Sequence, residues 1–218
     1  TNKKINSHAR RLAKLFPQKE IAAINMAVGG SKIDDIEDQV ATVLKKATPE
    51  YVTLLIGALD VCDWGLERSK ENIDFYREAI DANIKSLIQA NQNVIINIMP
   101  VPDLVRMYML NKNNLYCQQI WRLSNMCMKL FDKNISDNEK ITISMNVNDV
   151  NAAYENLAKD YPKNVFFNKA LTKIEFTKKH VSKFDCFHPS KAGQALISEL
   201  VWDTKMFENL SRYYLEHH

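Results

Sequence analysis

The run "NVIINIM" at residues 93–99 decides the fold, because it is short, largely apolar and bounded by polar residues. Two further runs have the same character, "YVTLLIG" at 51–57 and "IAAINM" at 21–26, and a weaker one, "NVFFNK", lies at 164–169. Short apolar runs of this kind predict strands that are buried on both faces of a sheet. We therefore predict a sheet built from these four segments.

The segments between these runs repeat apolar residues at the three- and four-residue spacing of amphipathic helices. Helices are predicted at 33–44, 69–90, 117–133, 147–160 and 190–210. Strands that alternate with helices form a parallel sheet covered on both faces. The sequence therefore predicts a single α/β domain over residues 1–214, with a vector-derived tag remnant at 215–218.

The composition and net charge argue against several classes of function. The chain has 218 residues, of which 46% are hydrophobic and 25% charged, as is usual for a globular domain with one core. A net charge of +3, carried on scattered lysines, argues against a nucleic-acid partner. No apolar run approaches the ~18 residues that a transmembrane segment needs.

Four cysteines, Cys62, Cys117, Cys127 and Cys186, permit up to two disulfides. Cys117 and Cys127 fall in one predicted helix, where they would lie ~15 Å apart and could not pair. A break in that helix would let them pair. No CxxC or HxxxH spacing occurs, so no metal site is predicted. Cysteine use leaves the compartment open, with a slight preference for a secreted or periplasmic protein.

Ligands of parallel sheets bind where the strands end, which directs attention to three segments, "AVGGSK" (27–32), "GALDVCDWG" (57–65) and "MPVPDLVR" (99–106). In the first, the glycines of the turn at 29–31 allow close backbone approach and open a helix with free amides, although an ordinary tight turn explains them equally. Ser31 there is either a helix N-cap or a substitute nucleophile. In the second, Asp60 is a strand-end acid or a cap, and Cys62 is better explained as a buried or disulfide-bonded residue than as a nucleophile.

The stretch "KFDCFHPSKAGQ" at 183–194 places Asp185 and His188 three residues apart, just before a predicted helix. A general base needs an imidazole whose other nitrogen is held by an acceptor. One short D-x-x-H loop supplies both groups. The alternative is a loop cap at Asp185 and an exposed turn histidine at His188.

In this order the segments resemble the GDSL, or SGNH, hydrolases, and within them the phospholipase B-like branch. "NMAVGG" (25–30) resembles the second family block, with Gly30 as the oxyanion-binding glycine, and "LLIGALDVC" (54–62) resembles the third. "DCFHPSKAGQALISELVW" (185–202) resembles the fifth, with Asp185 and His188 in the triad positions. The resemblance implies a three-layer α/β/α sandwich with a mostly parallel, flavodoxin-like sheet.

Two departures from the family pattern affect the expected chemistry. Leu59 occupies the position of an oxyanion asparagine, and leucine donates no hydrogen bond. The block with the nucleophilic serine is also absent, because "SHARRLAKLF" (7–16) resembles the helix that follows it. In the family that block's strand lies centrally, between the strands that correspond to 21–26 and 51–57. We therefore expect the first central strand and its serine on a segment outside these residues, for example a docked N-terminal peptide.

The resemblance implies a serine ester hydrolase of lipase, esterase or lysophospholipase type that acts on acyl esters or lipids without a cofactor. His188 is the expected base, Asp185 orients it and Gly30 binds the oxyanion, while Leu59, Asp60 and Cys62 are expected to line the site. One alternative is a hydrolase-like domain that binds acylated ligands or a protein partner without turnover. A second is a carbohydrate O-acetylesterase.

Overall fold

The computed structural model describes residues 5–64, 70–124 and 126–207. Its sheet has three parallel strands, β1 (Tyr51–Leu54), β2 (Ile95–Ile98) and β3 (Val165–Phe167), in the order β1-β2-β3. The register pairs Val52 with Ile96, and Ile96 with Val165. The predicted α/β fold with a parallel sheet is therefore confirmed.

Eight α-helices lie in the described ranges. They are α1 His8–Leu15, α2 Ile36–Lys46, α3 Ala58–Trp64, α4 Lys70–Ala90, α5 Leu104–Met109, α6 Leu115–Ser124, α7 Asp137–Asp160 and α8 Lys191–Leu200. Short 3-10 turns occur at Ile33–Asp35, Lys169–Lys173, Lys178–His180 and Thr204–Phe207. No helix in the described ranges is long and apolar enough to cross a membrane.

The side chains of each strand point alternately to the two faces of the sheet, and each face is covered by its own layer of helices. Ile96 and Ile98 of β2 belong to the main core, which also contains buried side chains of α2, α4 and α7. Ile95 points to the opposite face, into a smaller cluster with Leu12 of α1 and with Phe207. Because neighbouring residues of a strand face opposite sides, one short strand serves both layers.

Several predicted helix boundaries differ from those of the structure. The predicted helix 117–133 ends at Ser124, and Cys127 adopts a positive φ of 46° that an α-helix excludes. The helix predicted from 147 begins ten residues earlier, at Asp137, where a capping box supplies the start signal. The helix predicted to reach 210 ends at Leu200, whose carbonyl accepts a hydrogen bond from Asn168 Nδ2.

The prediction of a strand at 21–26 is wrong for this structure. These residues form no strand, and Ile24 is 47% exposed. A cleft of about 530 Å³ lies between this segment and β1, and side chains of α1 and α2 also line it. Within the part of the chain that the structure describes, β1 is consequently an edge strand with one unpaired side, and a strand needs a neighbour to satisfy its backbone groups.

β1 is also shorter than the predicted strand 51–57. The carbonyl of Ile56 accepts a hydrogen bond from Tyr154 Oη at 2.9 Å, which removes it from any ladder. Gly57 follows with a φ of +106°, and an added Cβ would lie 2.5 Å from Tyr76 Oη. The chain therefore turns sharply into α3 at a position that only glycine fits.

Candidate active site

The loop that carries Asp185 and His188 is closed at its base by backbone pairing. Val181 and Pro189 form an isolated antiparallel bridge, and Ser182 N donates to the carbonyl of His188 at 2.7 Å. Residues 181–190, called here the dyad loop, therefore form a small closed unit between the 3-10 turn at Lys178–His180 and α8.

Within the dyad loop, one carboxylate organises the histidine. Asp185 Oδ1 accepts hydrogen bonds from the amides of Phe187 and His188, each at 2.9 Å. Its other oxygen, Oδ2, lies 3.2 Å from His188 Nδ1. The carboxylate accepts a hydrogen bond from the Nδ1–H group. The imidazole is thereby held in an orientation that leaves Nε2 free to act as a base. The His188 side chain is 58% exposed, which leaves Nε2 accessible to a reactant.

The carbonyls of the dyad loop are held by side chains of α6 and the segment before it. Tyr116 Oη donates to the carbonyl of Phe184, Trp121 Nε1 to that of Asp185, and Asn111 Nδ2 to that of Cys186. Three consecutive carbonyls are therefore oriented from one side. These donors were not predicted from the sequence; only the i, i+4 spacing of Cys117 and Trp121 indicated a buried helix face, and it did not identify what that face covers.

The start of α8 fixes the other end of the dyad loop. Ser190 is its N-cap, with Oγ accepting from Gly193 N at 3.2 Å and donating to the carbonyl of Lys179 at 2.7 Å. A Cβ on Gly193 would lie 2.2 Å from the carbonyl oxygen of His180. The residues "PSKAG" therefore combine a cap with a close contact that requires glycine.

The glycine turn at 29–31 is the second part of the candidate site. Gly30 has a φ of +89° and is exposed, and an added Cβ would meet no atom within 4 Å. Glycine is thus required by the backbone conformation, and the space over it is open to a ligand. Ser31 is not the predicted N-cap: Lys32 holds that position, and Ser31 Oγ accepts from Gln39 Nε2.

Asp60 is a buried carboxyl group that contacts the backbone just after this turn. It lies in the first turn of α3, not at a strand end, and is only 4% exposed. Its Oδ1 accepts from Ile33 N at 3.0 Å, and burial raises the pKa of the carboxyl. Oδ2 has no partner among the described residues. The neighbouring Leu59 is half-buried in the same helix. Asp60 thus ties the 3-10 turn at Ile33–Asp35, which follows the glycine turn, to α3.

Two disulfides connect α3 to the dyad loop. Cys62 of α3 pairs with Cys127, and Cys117 of α6 pairs with Cys186. The break in the predicted helix does not lead to a Cys117–Cys127 bond, because each cysteine has a partner elsewhere. Cys62 has no free thiol and is not a nucleophile. A covalent path therefore runs from the helix that supports the glycine turn, through the segment 117–127, to the loop with Asp185 and His188.

No hydrogen bond between described residues joins the dyad loop to the glycine turn. Each half is held by its own contacts: Asp185 and His188 by α6, and Gly30 through the Ile33–Asp60 hydrogen bond. Within the described residues no group of three or more His, Cys, Asp or Glu side chains could hold a metal ion. The arrangement offers an oriented base and an open glycine amide, which are two elements of acyl-transfer chemistry.

The family model for GDSL-like lipases and acylhydrolases matches residues 3–201. The chain belongs to this family. Its members hydrolyse acyl esters, and the match covers both the glycine turn and the dyad loop. No curated protein and no solved structure matches the chain.

Proposed function

We propose that this protein is a serine ester hydrolase of the esterase or lysophospholipase type, with His188 as general base, Asp185 as its orienting acid and Gly30 as an oxyanion donor. The observation that carries the proposal is the Asp185 Oδ2–His188 Nδ1 contact at 3.2 Å on an exposed imidazole. Family membership supports acyl-ester chemistry in general. The residues from Gly193 to Trp202 after the dyad favour the phospholipase B-like branch.

In this mechanism the serine hydroxyl attacks the acyl carbon while His188 Nε2 takes its proton. The negative charge that develops on the carbonyl oxygen is stabilised by the amide of Gly30. The acyl–oxygen bond then breaks, and the imidazolium returns the proton to the leaving alcohol. Water repeats the sequence on the acyl-enzyme and releases the acid. Asp185 keeps its hydrogen bond to Nδ1 throughout and stabilises the imidazolium.

We further propose that the nucleophilic serine is delivered by an extended segment that pairs with the free edge of β1. The hydrogen bonds Ile95 N to Glu50 O and Met99 N to Leu54 O show that residues 50 and 54 direct their carbonyls towards β2, and strand alternation gives Val52 between them the same direction. In a parallel ladder the intervening residues, Tyr51 and Thr53, direct their backbone groups to the opposite side. The cleft there is lined by 21–27 and by β1, and a strand seated in it would satisfy both.

The two disulfides favour maturation in an oxidising compartment, which fits a secreted or periplasmic protein. The substrate class that fits this setting is an acyl ester or lipid, and the covalent route needs no cofactor.

The test uses the full gene product and a fluorophosphonate probe, which labels activated serines. We expect labelling of one serine outside residues 1–218, located by peptide mass spectrometry, and loss of labelling in His188→Ala. Hydrolysis of a short-chain p-nitrophenyl ester should fall in parallel. Labelling of Ser31, or equal ester hydrolysis by wild type and His188→Ala, contradicts the assignment.

Strand docking is tested separately by hydrogen–deuterium exchange. The amides of residues 21–26 and 51–54 should exchange faster in the 218-residue chain than in the full gene product. The amides of β2 serve as the control, because β2 is paired on both sides. Equal exchange of 21–26 and 51–54 in the two samples rules out the docked segment.

A second function, binding of acylated ligands without turnover, is favoured by Leu59. This side chain cannot donate to an oxyanion at the position where the family pattern has asparagine. Leu59→Asn distinguishes the two. In a working hydrolase the change should raise kcat, whereas a binding domain gains no turnover.

A further inference from the structure

Five large apolar side chains are exposed on and beside α6. They are Leu115 (75% exposed), Tyr116 (51%), Leu123 (79%), Met128 (67%) and Phe184 (85%). We call this set the α6 patch. Singly exposed apolar residues are common on proteins, but a cluster of this kind marks an interaction surface.

Helix geometry and one hydrogen bond place most of the patch together. Tyr116 and Leu123 lie seven residues apart on the same side of α6, with Leu115 at the margin of that side, whereas Cys117 and Trp121 point to the protein interior and are 1% and 2% exposed. Tyr116 Oη donates to the carbonyl of Phe184 at 3.3 Å. The patch therefore continues from α6 onto the dyad loop, one residue before Asp185.

Cationic side chains predominate around the patch, although Asp137 and Glu139 at the start of α7 lie near enough to Lys112 and Lys129 to interact with them electrostatically. Lys112, Arg122 and Lys129 lie within or beside it on the α6 side, and Lys183 precedes Phe184. The sequence contains no Asp or Glu from 104 to 131, nor from 176 to 184. None of the four cations forms a salt bridge with a described residue. Their charges are thus not neutralised by an ion pair within the described residues.

We propose that the α6 patch docks this protein onto an anionic lipid bilayer surface. Exposed leucine and aromatic side chains enter the boundary of the acyl chains, while surrounding lysine and arginine side chains contact anionic headgroups. A second copy of the chain fits less well, because face-to-face pairing would bring two cationic rims together. Docking does not depend on the proposed hydrolysis, although it would bring the dyad loop next to lipid.

The experiment measures co-flotation of the full chain with vesicles of ether-linked lipids, which contain no acyl ester to cleave. One set contains only phosphatidylcholine, and in the other part of it is replaced by phosphatidylglycerol. We expect binding to the anionic vesicles, weakening as NaCl rises from about 0.1 M to about 0.5 M. Because the lipids cannot be hydrolysed, a negative result here is independent of any esterase result.

Two variants separate the apolar and cationic contributions. Leu115→Ser/Leu123→Ser should weaken binding at least about tenfold, since each leucine loses buried apolar area. Arg122→Gln/Lys129→Gln should weaken it about tenfold or more, since each cation adds to the attraction. The matched control is Leu15→Ser/Phe75→Ser. Leu15 lies on α1 and is 41% exposed, and Phe75 lies on α4 and is 55% exposed.

The control should bind like the wild type, and circular dichroism should show that all variants are folded. Three results overturn the proposal: no binding by the wild type, equal binding to neutral and anionic vesicles, or equal loss in the control. A dimer in size-exclusion chromatography that Leu115→Ser/Leu123→Ser dissociates also overturns it. In that case the patch is an interface between copies.

Discussion

The dyad loop and the segment 20–30 differ in how completely their polar and apolar groups are satisfied. The dyad loop has a bridged base, a disulfide and hydrogen bonds to three consecutive carbonyls. The segment 20–30 has mostly exposed residues and pairs with no strand among the described residues, and Val28 is 65% exposed. One half of the candidate site is held by contacts within the chain, and the other half faces an open cleft.

This difference indicates where the chemistry is already organised and where a partner is needed. Asp185 and His188 keep their geometry through contacts that the chain itself supplies. Gly30 has the required backbone conformation, but the extended segment before it lacks the neighbouring strand that would fix its position. Perturbing the dyad loop should therefore change activity, whereas perturbing 20–30 should matter only when the cleft is filled.

The largest expected effect is that of His188→Ala on ester hydrolysis by the full gene product. Loss of the general base should reduce kcat/KM by about 10²–10⁴. The thermal midpoint should barely change, because the side chain is 58% exposed and, among the described residues, it hydrogen-bonds only to Asp185. Steady-state kinetics and a thermal melt measure the two quantities.

The matched control is His180→Ala. This imidazole is also near the dyad loop, and its Nδ1 accepts from Thr177 N at 3.2 Å. Hydrolysis should be nearly unchanged. A comparable loss in both variants would mean that the region as a whole, rather than the oriented imidazole of His188, sustains activity.

The second prediction compares the two disulfides. Removal of Cys117–Cys186 by Cys→Ser changes should lower the free energy of unfolding by up to ~4 kcal/mol, because the bond closes a long loop, with a sequence separation of 69. Removal of Cys62–Cys127, with a separation of 65, should cost a similar amount. Only the first should lower kcat, since Cys186 lies between the two dyad residues.

Chemical denaturation and kinetics on both double variants test this contrast. Equal kcat losses would show that the dyad loop depends on overall stability and not on its own tether. An unchanged kcat without Cys117–Cys186 would show that the three side-chain donors suffice to hold it.

The sequence predicted much of this arrangement, and its failures have identifiable causes. Patterning located β1, β2 and β3 and most helices, because buried strands and amphipathic helices have local signatures. It failed at 21–26, whose apolar pattern is that of a strand, since pairing depends on a neighbour and not on the pattern. It also did not identify Trp121 or the pairing of Cys117 with Cys186, because both depend on which distant segments pack together.

The third prediction concerns Trp121→Phe. The change removes the Nε1 donor from the carbonyl of Asp185 but retains an aromatic ring stacked on Phe131, at 4.6 Å between centroids. An unpaired carbonyl should cost about 1–2 kcal/mol of unfolding free energy. The kcat should also fall, because Asp185 would orient His188 less firmly. Trp202→Phe is the control, since Trp202 Nε1 has no hydrogen bond within the described residues.

The fourth prediction is that the free energy of unfolding depends on pH through His8 of α1, which lines the cleft. His8 Nδ1 lies 2.6 Å from Tyr51 Oη, which also accepts from Asn97 Nδ2. Burial lowers the pKa of His8 below its ordinary value of 6.5. The unfolded chain therefore takes up a proton at a higher pH than the folded chain.

Stability from this group is thus fully present above about pH 7 and falls as the pH drops towards about 5. His8→Gln should flatten that part of the profile, by at most about 1.4 kcal/mol for each unit of pKa difference. Urea denaturation between these pH values measures the effect. An identical slope in wild type and variant would assign the pH dependence to another group.

The smallest effect in the 218-residue chain is expected for Ile24→Asn. This side chain lines the cleft and is 47% exposed, so the change should alter the unfolding free energy by less than about 0.5 kcal/mol. In the full gene product a strand seated in the cleft would cover it, and the cost should rise to about 1–3 kcal/mol. Val28→Asn, in the same segment but outside the cleft lining, should cost little in both samples. An equal cost for Ile24→Asn in the two samples would mean that nothing covers the segment, and the two halves of the site would then differ in order even in the complete protein.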